Sequence, residues 1–162
     1  MVRVKFLLIL FCFTQYLEAA EETLLGFWFA SDSIIEIKHC GDSICGEIVH
    51  IIVEEGVDPK TILDENNTND GLKSRTLVGL NILTGFKKNL DSKNELKGGK
   101  IYDPRIGKTF KAKLKLLDDG NIKVEGCILF ICDGEEWQPL LVSINSDGTR
   151  NATLKNSPKE NE

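Results

Sequence analysis

Short apolar segments alternate with turn-forming residues along the chain, and the alternation is clearest over residues 108–117. There Phe110, Ala112 and Leu114 alternate with lysines. Because successive side chains of a strand point to opposite faces, this pattern predicts a strand with one buried face. The same pattern predicts eight strands in all, over residues 24–30, 34–40, 44–53, 76–86, 96–103, 108–117, 122–128 and 136–143. A helix over residues 77–83 is the alternative for part of the fourth strand.

Eight short strands joined mostly by tight turns predict a single antiparallel, up-and-down β-barrel, because closing the sheet leaves no exposed edge strand. A β-sandwich of two sheets is the alternative, since it requires nearly the same pattern. One connection stands apart from the tight turns. Residues 54–75 are polar and rich in Asp, Asn and Gly, and a loop of that length in a compact domain is usually functional or disordered.

The two ends of the chain differ in composition from the predicted barrel. Arg3 and Lys5 precede an apolar run over residues 6–13, and Ala19 offers a small residue for cleavage. This is typical of a signal peptide over residues 1–20, because the apolar run is shorter than the roughly 20 residues of a membrane helix. An uncleaved N-terminal anchor is the alternative. The barrel domain is then expected over residues 21–143, followed by a disordered polar tail over residues 144–162.

Net charge limits the class of partner. The formal charge of the chain is −5, and loss of Arg3, Lys5 and Glu18 with the signal peptide removes a net +1 and leaves −6. An acidic protein lacks the basic face that nucleic-acid phosphates require, so no nucleic-acid partner is expected. The Gly107-Lys108-Thr109 segment matches the end of a phosphate-binding loop, but Tyr102 stands where that motif needs its first glycine. We therefore expect no cofactor and a protein that does not span the membrane after cleavage; the pattern carries no signal for an oligomeric state.

Of the five cysteines, Cys12 lies in the predicted signal peptide, and the four that remain after cleavage fall into two C-x₄-C pairs, Cys40 with Cys45 and Cys127 with Cys132. An even number of cysteines in an exported protein favours disulfides. We expect local pairing within each C-x₄-C, where closing a six-residue loop stabilises the fold by about 2 kcal/mol in the chain-entropy model. A four-thiolate zinc site is the alternative.

Two histidines, His39 and His50, lie on neighbouring predicted strands. With a cysteine or a carboxylate they could ligate a metal such as copper or zinc. Isolated histidines on strands are more often surface or packed residues, and we expect no metal site.

Several short motifs occur in a recognisable order along residues 26–137. The most specific is Gly98 through Pro104 followed by Gly107-Lys108-Thr109. The others are Gly26-Phe27-Trp28, Cys40-Gly41, residues 45–49, Asp64 with Asn67, Arg75, residues 77–80, Gly126-Cys127, Cys132 and Trp137. On these residues the chain resembles domain-of-unknown-function family 2147, a family of uncharacterised secreted bacterial proteins. The resemblance implies a periplasmic or secreted location and leaves the activity open.

The opening Gly26-Phe27-Trp28 is also similar to lipocalin-like barrels, in which an early Trp closes one barrel end under an Arg from a late strand. Two positions depart from the family pattern. The family's Trp-x-Arg ending becomes Trp137-Gln138-Pro139, which removes that Arg. Arg105-Ile106 replaces the acidic or polar residues that usually precede Gly107.

The candidate ligand-binding residues lie in or beside the long loop and the turn after Pro104. They are Asp64, Asn67, Arg75, Lys100, Tyr102 and Asp103, with Trp28 and Trp137 as aromatic candidates. By a period of two, Tyr102 shares a face with Lys100, and Asp103 points the other way. These polar groups could converge at the barrel mouth to bind an acidic or hydroxylated ligand.

The structural alternative gives the same residues local roles. Asp103 then caps the turn, Arg75 pairs with Asp64, and Asn67 binds the loop backbone. Trp28 and Trp137 would be core residues or barrel plugs. Asp64 and Asp103 could also form the carboxylate pair of a glycoside hydrolase, but the sequence does not fix their separation.

Three functions follow from these observations. The first is an exported bacterial barrel that binds a small apolar or amphipathic ligand, with an apolar cavity left in its interior. The second is an envelope-associated interaction module with a filled core and an exposed patch at the end carrying the 54–75 loop. The third and weakest is a hydrolase, which needs Asp64 or Asp103 within hydrogen-bond reach of another titratable group. A non-enzymatic function is favoured, and no catalytic residue is assigned.

Overall fold

The computed structural model describes residues 24–88, 94–146 and 150–155. The predicted signal peptide lies outside the described residues. The described residues form nine strands, in chain order: β1 (Gly26–Ala30), β2 (Ser33–Cys40), β3 (Ser43–Ile51), β4 (Asn81–Lys87), β5 (Glu95–Asp103), β6 (Lys108–Leu116), β7 (Ile122–Ile128), β8 (Ile131–Ile144) and β9 (Arg150–Leu154).

Strands β1 to β8 form a closed antiparallel β-barrel. Each strand pairs with the next in the chain, and β1 also pairs with β8, with Trp28 opposite Pro139. This closure confirms the predicted barrel rather than the sandwich. Pro139, which stands where the expected Trp-x-Arg ending would have its Arg, lies directly opposite Trp28 in this register.

Apolar side chains on the inward-pointing faces of the strands fill the barrel interior. Ile35 and Ile37 on β2, Leu114 on β6 and Trp137 on β8 are all buried in one core cluster. Phe86 is fully buried against β5, where a side-chain carbon at Gly99 would overlap its ring. The same alternation that predicted the strands therefore fills the space the barrel encloses.

Two strands differ by five residues from their predicted starting points, whereas the ends of the other predicted strands move by two residues at most. The fourth begins at Asn81 rather than at residue 76, and neither a strand nor a helix forms over residues 77–80. Those residues turn back against the long loop, because the Leu77 amide donates to the Ile62 carbonyl at 2.9 Å. The eighth begins at Ile131 rather than at residue 136, since the β7–β8 hairpin keeps its register as far as the Ile128–Ile131 pair.

The tail that we expected to be disordered contains a strand, β9, which is a correction to that prediction. Pairing between β7 and β8 ends at Trp137, and β9 then pairs with residues 140–144 of β8. All five residues of β9 are exposed. Composition did not reveal this strand, because its pairing depends on backbone hydrogen bonds to the long β8 strand rather than on buried side chains.

Both disulfides form as predicted, Cys40–Cys45 across the β2–β3 hairpin and Cys127–Cys132 across the β7–β8 hairpin. Cys127 and Cys132 lie directly opposite each other in the strand register, with 4.1 Å between their Cα atoms. The zinc alternative for these cysteines is therefore wrong.

The antiparallel order divides the connections between the two ends of the barrel. The β1–β2 turn, the loop over residues 52–80, the β5–β6 turn and the β7–β8 turn all open at one end, which we call the mouth end. The β2–β3 and β6–β7 connections lie at the other end. His39 pairs with Ile44 near one end of the β2–β3 hairpin and His50 with Ile34 near the other, so the two histidines are too far apart to share a metal ion.

Candidate functional site

The long loop over residues 52–80 is a folded element rather than a disordered one. Two short 3₁₀ turns, Pro59–Thr61 and Asp70–Leu72, are capped by the side chains of Asp58 and Asn69. An isolated bridge pairs Leu63 with Thr76 and brings the two halves of the loop together. The Asp64 amide then donates to the Arg75 carbonyl at 3.0 Å, which places their side chains side by side.

Asp64 is the centre of a buried polar network. Its side chain is 0% exposed. Oδ1 accepts a hydrogen bond from the Tyr102 hydroxyl at 2.6 Å. Oδ2 accepts from Asn67 Nδ2 at 2.8 Å and from Arg75 Nε at 2.9 Å. The Arg75 guanidinium also reaches Oδ2 through Nη2 at 2.7 Å. A buried carboxylate needs this degree of pairing, because an unpaired charge inside a protein is very costly.

The partners of Asp64 also contact one another. Asn67 Nδ2 donates to the Tyr102 hydroxyl at 2.9 Å, and Asn67 Oδ1 accepts from the Asn69 amide at 2.8 Å. The Arg75 guanidinium carbon lies 5.4 Å from the centre of the Tyr102 ring, within cation–π distance. The network therefore joins the loop to β5 through side chains alone.

The protonation of the network follows from these contacts. Burial raises the pKa of Asp64, but hydrogen bonds from Tyr102, Asn67 and Arg75 outweigh burial, so the pKa lies below its ordinary value. Burial and the hydrogen bond to the Asp64 carboxylate raise the pKa of Tyr102. At neutral pH Asp64 is thus charged and Tyr102 keeps its proton, which is the arrangement that the short hydrogen bond requires.

The β5–β6 turn forms the other side of the site. Asp103 Oδ1 accepts from the Arg105 amide at 2.9 Å and from Arg105 Nε at 2.9 Å, so it caps the turn. Gly107 has φ +66°, and a side-chain carbon there would overlap the Asn66 carbonyl oxygen. Glycine at this position allows the loop backbone to lie directly on the turn.

An open cleft of about 410 Å³ lies between the loop and the β5–β6 hairpin. We call it the mouth cleft. Its lining combines charged, hydroxyl and apolar side chains: Asn67, Thr68, Leu72, Arg75, Tyr102, Gly107, Lys108, Thr109 and Phe110. Arg75 remains 34% exposed beside the cleft, while its paired partner Asp64 is covered.

The structure brings together four of the eight candidate residues, Asp64, Asn67, Arg75 and Tyr102. The predicted structural contacts are confirmed: Arg75 pairs with Asp64, Asn67 binds the loop backbone, and Asp103 caps the turn. A part for these residues in ligand binding stays a prediction.

The remaining candidates lie elsewhere. Lys100 is exposed and does not line the mouth cleft. Asp103 pairs with Arg105 rather than joining Asp64. Trp28 and Trp137 are buried, and their indole groups donate to the Leu24 carbonyl and the Glu135 carboxylate. The prediction that these two tryptophans bind ligand is therefore not supported, because both are part of the core.

Six residues that line the cleft were not among the candidate residues: Thr68, Leu72, Gly107, Lys108, Thr109 and Phe110. The Gly107-Lys108-Thr109 segment was interpreted only as an incomplete phosphate-binding loop and as part of the family motif, not as a ligand-binding segment. Its position beside Tyr102 across the β5–β6 hairpin was the available signal, since Tyr102 pairs directly with Thr109.

Two further properties of the described residues bear on function. None of the helices in this part of the chain has the length and apolar character that crossing a bilayer requires. Nor do the described residues bring three potential metal ligands into one cluster.

Comparison with solved structures places the barrel among lipocalin-like folds. Protein HP1028 of Helicobacter pylori, described as belonging to the lipocalin family, superposes with a TM-score of 0.61 at 18% sequence identity. The match covers 73% of this chain and 83% of the HP1028 chain. At that identity the likeness concerns the fold.

Comparison with families gives the relationship of the sequence itself. No curated protein matches the chain. A family described as "uncharacterized protein conserved in bacteria (DUF2147)" matches residues 26–139, which span the barrel from β1 into β8. The chain belongs to this family of bacterial proteins.

Proposed function

We propose that the protein is exported and binds a small amphipathic ligand in the mouth cleft, with the anionic or hydroxylated head of the ligand against Arg75, Lys108 and Thr109. The observation that carries this proposal is the mixed lining of the cleft, in which two cationic side chains lie beside Leu72 and Phe110. A pocket with apolar walls and a few polar groups that fix orientation is typical of small-molecule sites.

The location differs from the interior cavity that the sequence suggested. The barrel interior is occupied by the core cluster, including Trp137, Phe86 and Leu114. The mouth cleft instead lies under the long loop. An amphipathic ligand fits it better than a wholly apolar one, because the cleft is open and its cations would be desolvated without compensation by an apolar ligand.

The network behind the cleft serves to position it. Asp64 holds Arg75 by two nitrogens and Tyr102 by its hydroxyl. Both side chains therefore keep fixed positions without the ligand, which lowers the entropic cost of binding.

Hydrolysis is less well supported by the same geometry. Asp64 is within hydrogen-bond reach of Tyr102 but is fully covered and has a lowered pKa, whereas a general acid needs an accessible carboxyl with a raised pKa. Asp103 also has a lowered pKa: burial acts to raise it, and the hydrogen bonds from Arg105 outweigh burial.

The test is to measure, by calorimetry on the purified protein, the binding of a defined probe, a medium-chain fatty acid. We expect Lys108→Ala to weaken binding about tenfold, since the loss of one charged contact corresponds to roughly 1.4 kcal/mol. Lys111→Ala is the matched control: Lys111 is an exposed lysine on the same strand and does not line the cleft.

Equal loss in the two variants, or no binding by the unsubstituted protein, would contradict the proposal. Native mass spectrometry of protein taken from its own compartment would show whether it retains a ligand. A retained molecule without a polar head would also argue against this site.

A second candidate function is the interaction module with a filled core. The observation in its favour is the group of exposed apolar residues at the mouth end, considered next.

A further inference from the structure

The β7–β8 turn carries the most exposed apolar side chains in the described part of the chain. Leu129 and Phe130 are each 88% exposed, and their neighbours Ile128 and Ile131 are 63% and 69% exposed. Four consecutive large apolar residues in water are unusual for a monomeric surface, where single exposed apolar residues are the norm.

At the mouth end this turn extends beyond β1, while on its other side β6 continues past its last pair with β7, from Lys111 to Lys108. Pairing of β7 with β6 extends to Cys127, and pairing of β8 with β1 begins at Gln138. The tip therefore consists of the Ile128–Ile131 pair and the two residues between them, directly above the Cys127–Cys132 disulfide. The disulfide links β7 to β8 next to the exposed turn.

The conformation of the tip is not one that stability alone favours. Leu129 has φ +56°, in the left-handed region that costs a residue with a Cβ about 1–2 kcal/mol. Two-residue hairpin turns usually place Gly, Asn or Asp at such positions. Backbone strain together with full exposure of Leu129 points to a role outside the folded domain.

Other exposed apolar residues occur at the same end of the barrel. Of the twelve large exposed apolar residues in the described ranges, nine lie on connections that open at the mouth end. Besides the four of the tip, they are Ile52, Val57, Leu63, Leu72 and Ile106. Three separate connections at the mouth end thus carry exposed apolar side chains, which suits a broad acceptor rather than a single pocket.

We propose that the mouth end contacts a lipid bilayer, with Leu129 and Phe130 inserted at the interface between headgroups and acyl chains. A convex tip requires a concave pocket in a protein partner, whereas a fluid bilayer accepts it without a matching shape. The surrounding charge indicates neutral lipid: the loop over residues 52–80 contains six acidic and three basic residues, so anionic headgroups would be repelled.

This proposal does not depend on ligand binding in the mouth cleft. If the protein both binds a ligand in the mouth cleft and contacts a bilayer, the cleft would open beside the membrane surface. An amphipathic ligand could then pass between the cleft and the bilayer. The experiment below reads out the tip alone.

The test is co-sedimentation of the purified protein, its N-terminus defined by mass spectrometry, with vesicles of pure phosphatidylcholine. We expect binding that is the same at low and at high salt. Phe130→Asp and Leu129→Asp should each weaken vesicle binding about tenfold or more, because a charge replaces a large apolar side chain that is inserted into the bilayer.

Ile144→Asp is the matched control, since Ile144 is 70% exposed but lies at the far end of β8, paired with β9. It should leave vesicle binding unchanged. Fluorescence of the buried Trp28 and Trp137 reports whether each variant is folded.

A second measurement identifies the inserted residue directly. Phe130→Trp should gain fluorescence that brominated phosphatidylcholine quenches, and Ile144→Trp should not. Failure of the unsubstituted protein to bind the vesicles would overturn the proposal, as would equal loss in Ile144→Asp. A change in molar mass of Phe130→Asp in light scattering, without an effect on vesicle binding, would instead assign the tip to contact with a second copy of the chain.

Discussion

The Tyr102 hydroxyl donates a hydrogen bond of 2.6 Å to Oδ1 of Asp64, across 38 positions of sequence. This contact joins the long loop to the β5 strand and completes the pairing of a carboxylate that has no access to water. It also fixes the ring beside which the mouth cleft opens. The following predictions test what this contact and the elements around it contribute.

Removing the Tyr102 hydroxyl should destabilise the protein. Tyr102→Phe leaves Asp64 Oδ1 buried without that donor and should lower the free energy of unfolding by about 1–3 kcal/mol. Asp64→Asn should cost more, about 2–4 kcal/mol, because it also leaves the Arg75 guanidinium without its carboxylate. Urea denaturation measures both. Asp70→Asn is the control and should have little effect, since that carboxylate is at the surface; a similar loss there would contradict the assignment.

The pH dependence of stability should contain a contribution from Asp64. Its pKa is lower in the folded protein than in the unfolded chain, so the ionised carboxylate stabilises the fold at every pH above the unfolded value. That contribution is lost as the pH falls through the folded pKa. The unfolding free energy of the natural protein should therefore decrease more steeply below about pH 4 than that of Asp64→Asn. Parallel curves would show that folding does not lower the pKa of Asp64.

Gly107 should tolerate no side chain. Gly107→Ala adds a carbon that overlaps the Asn66 carbonyl oxygen, in a backbone conformation of φ +66°. Gly41→Ala separates these two effects, because Gly41 has φ +62° and open space around it. We expect about 1 kcal/mol of destabilisation for Gly41→Ala from backbone strain alone, and at least about 2 kcal/mol for Gly107→Ala. Equal values in thermal denaturation would mean that the loop does not lie on the turn.

The two disulfides should stabilise the fold equally if they act by restricting the unfolded chain. Each closes a loop with a sequence separation of 5. The chain-entropy model gives about 2 kcal/mol for either one. The double variant Cys40→Ser/Cys45→Ser and the double variant Cys127→Ser/Cys132→Ser should therefore lower the free energy of unfolding by similar amounts. A much larger loss for one pair would show that it also supports folded-state contacts.

The sequence was most informative where one period governs many residues. The β7 strand, Ile122–Ile128, has the predicted bounds, and β6 differs from its predicted bounds by a single residue. A buried face on alternate positions is a local property, so it can be read from neighbouring residues. The local disulfides and the cap made by Asp103 follow from the same short-range geometry.

The alternation of polar and apolar residues did not reveal which segments distant in sequence lie against one another. Tyr102 and Lys100 share a face of β5, yet Tyr102 joins the Asp64 network and Lys100 does not, because the long loop covers one and not the other. The β9 strand is wholly exposed and pairs by its backbone, so it leaves no hydrophobic period to detect.

The sequence by itself predicted the strands β1 to β8, the local disulfides and the family of this protein, because each depends on residues close together in the chain or on motifs in a fixed order. Tertiary structure alone decided between a closed barrel and a sandwich, and it alone revealed the β9 strand, the mouth cleft, the burial of Asp64 and the exposure of Leu129 and Phe130 at the β7–β8 turn. Those features depend on which distant segments lie against one another, and alternation of polar and apolar residues carries no information about that distance.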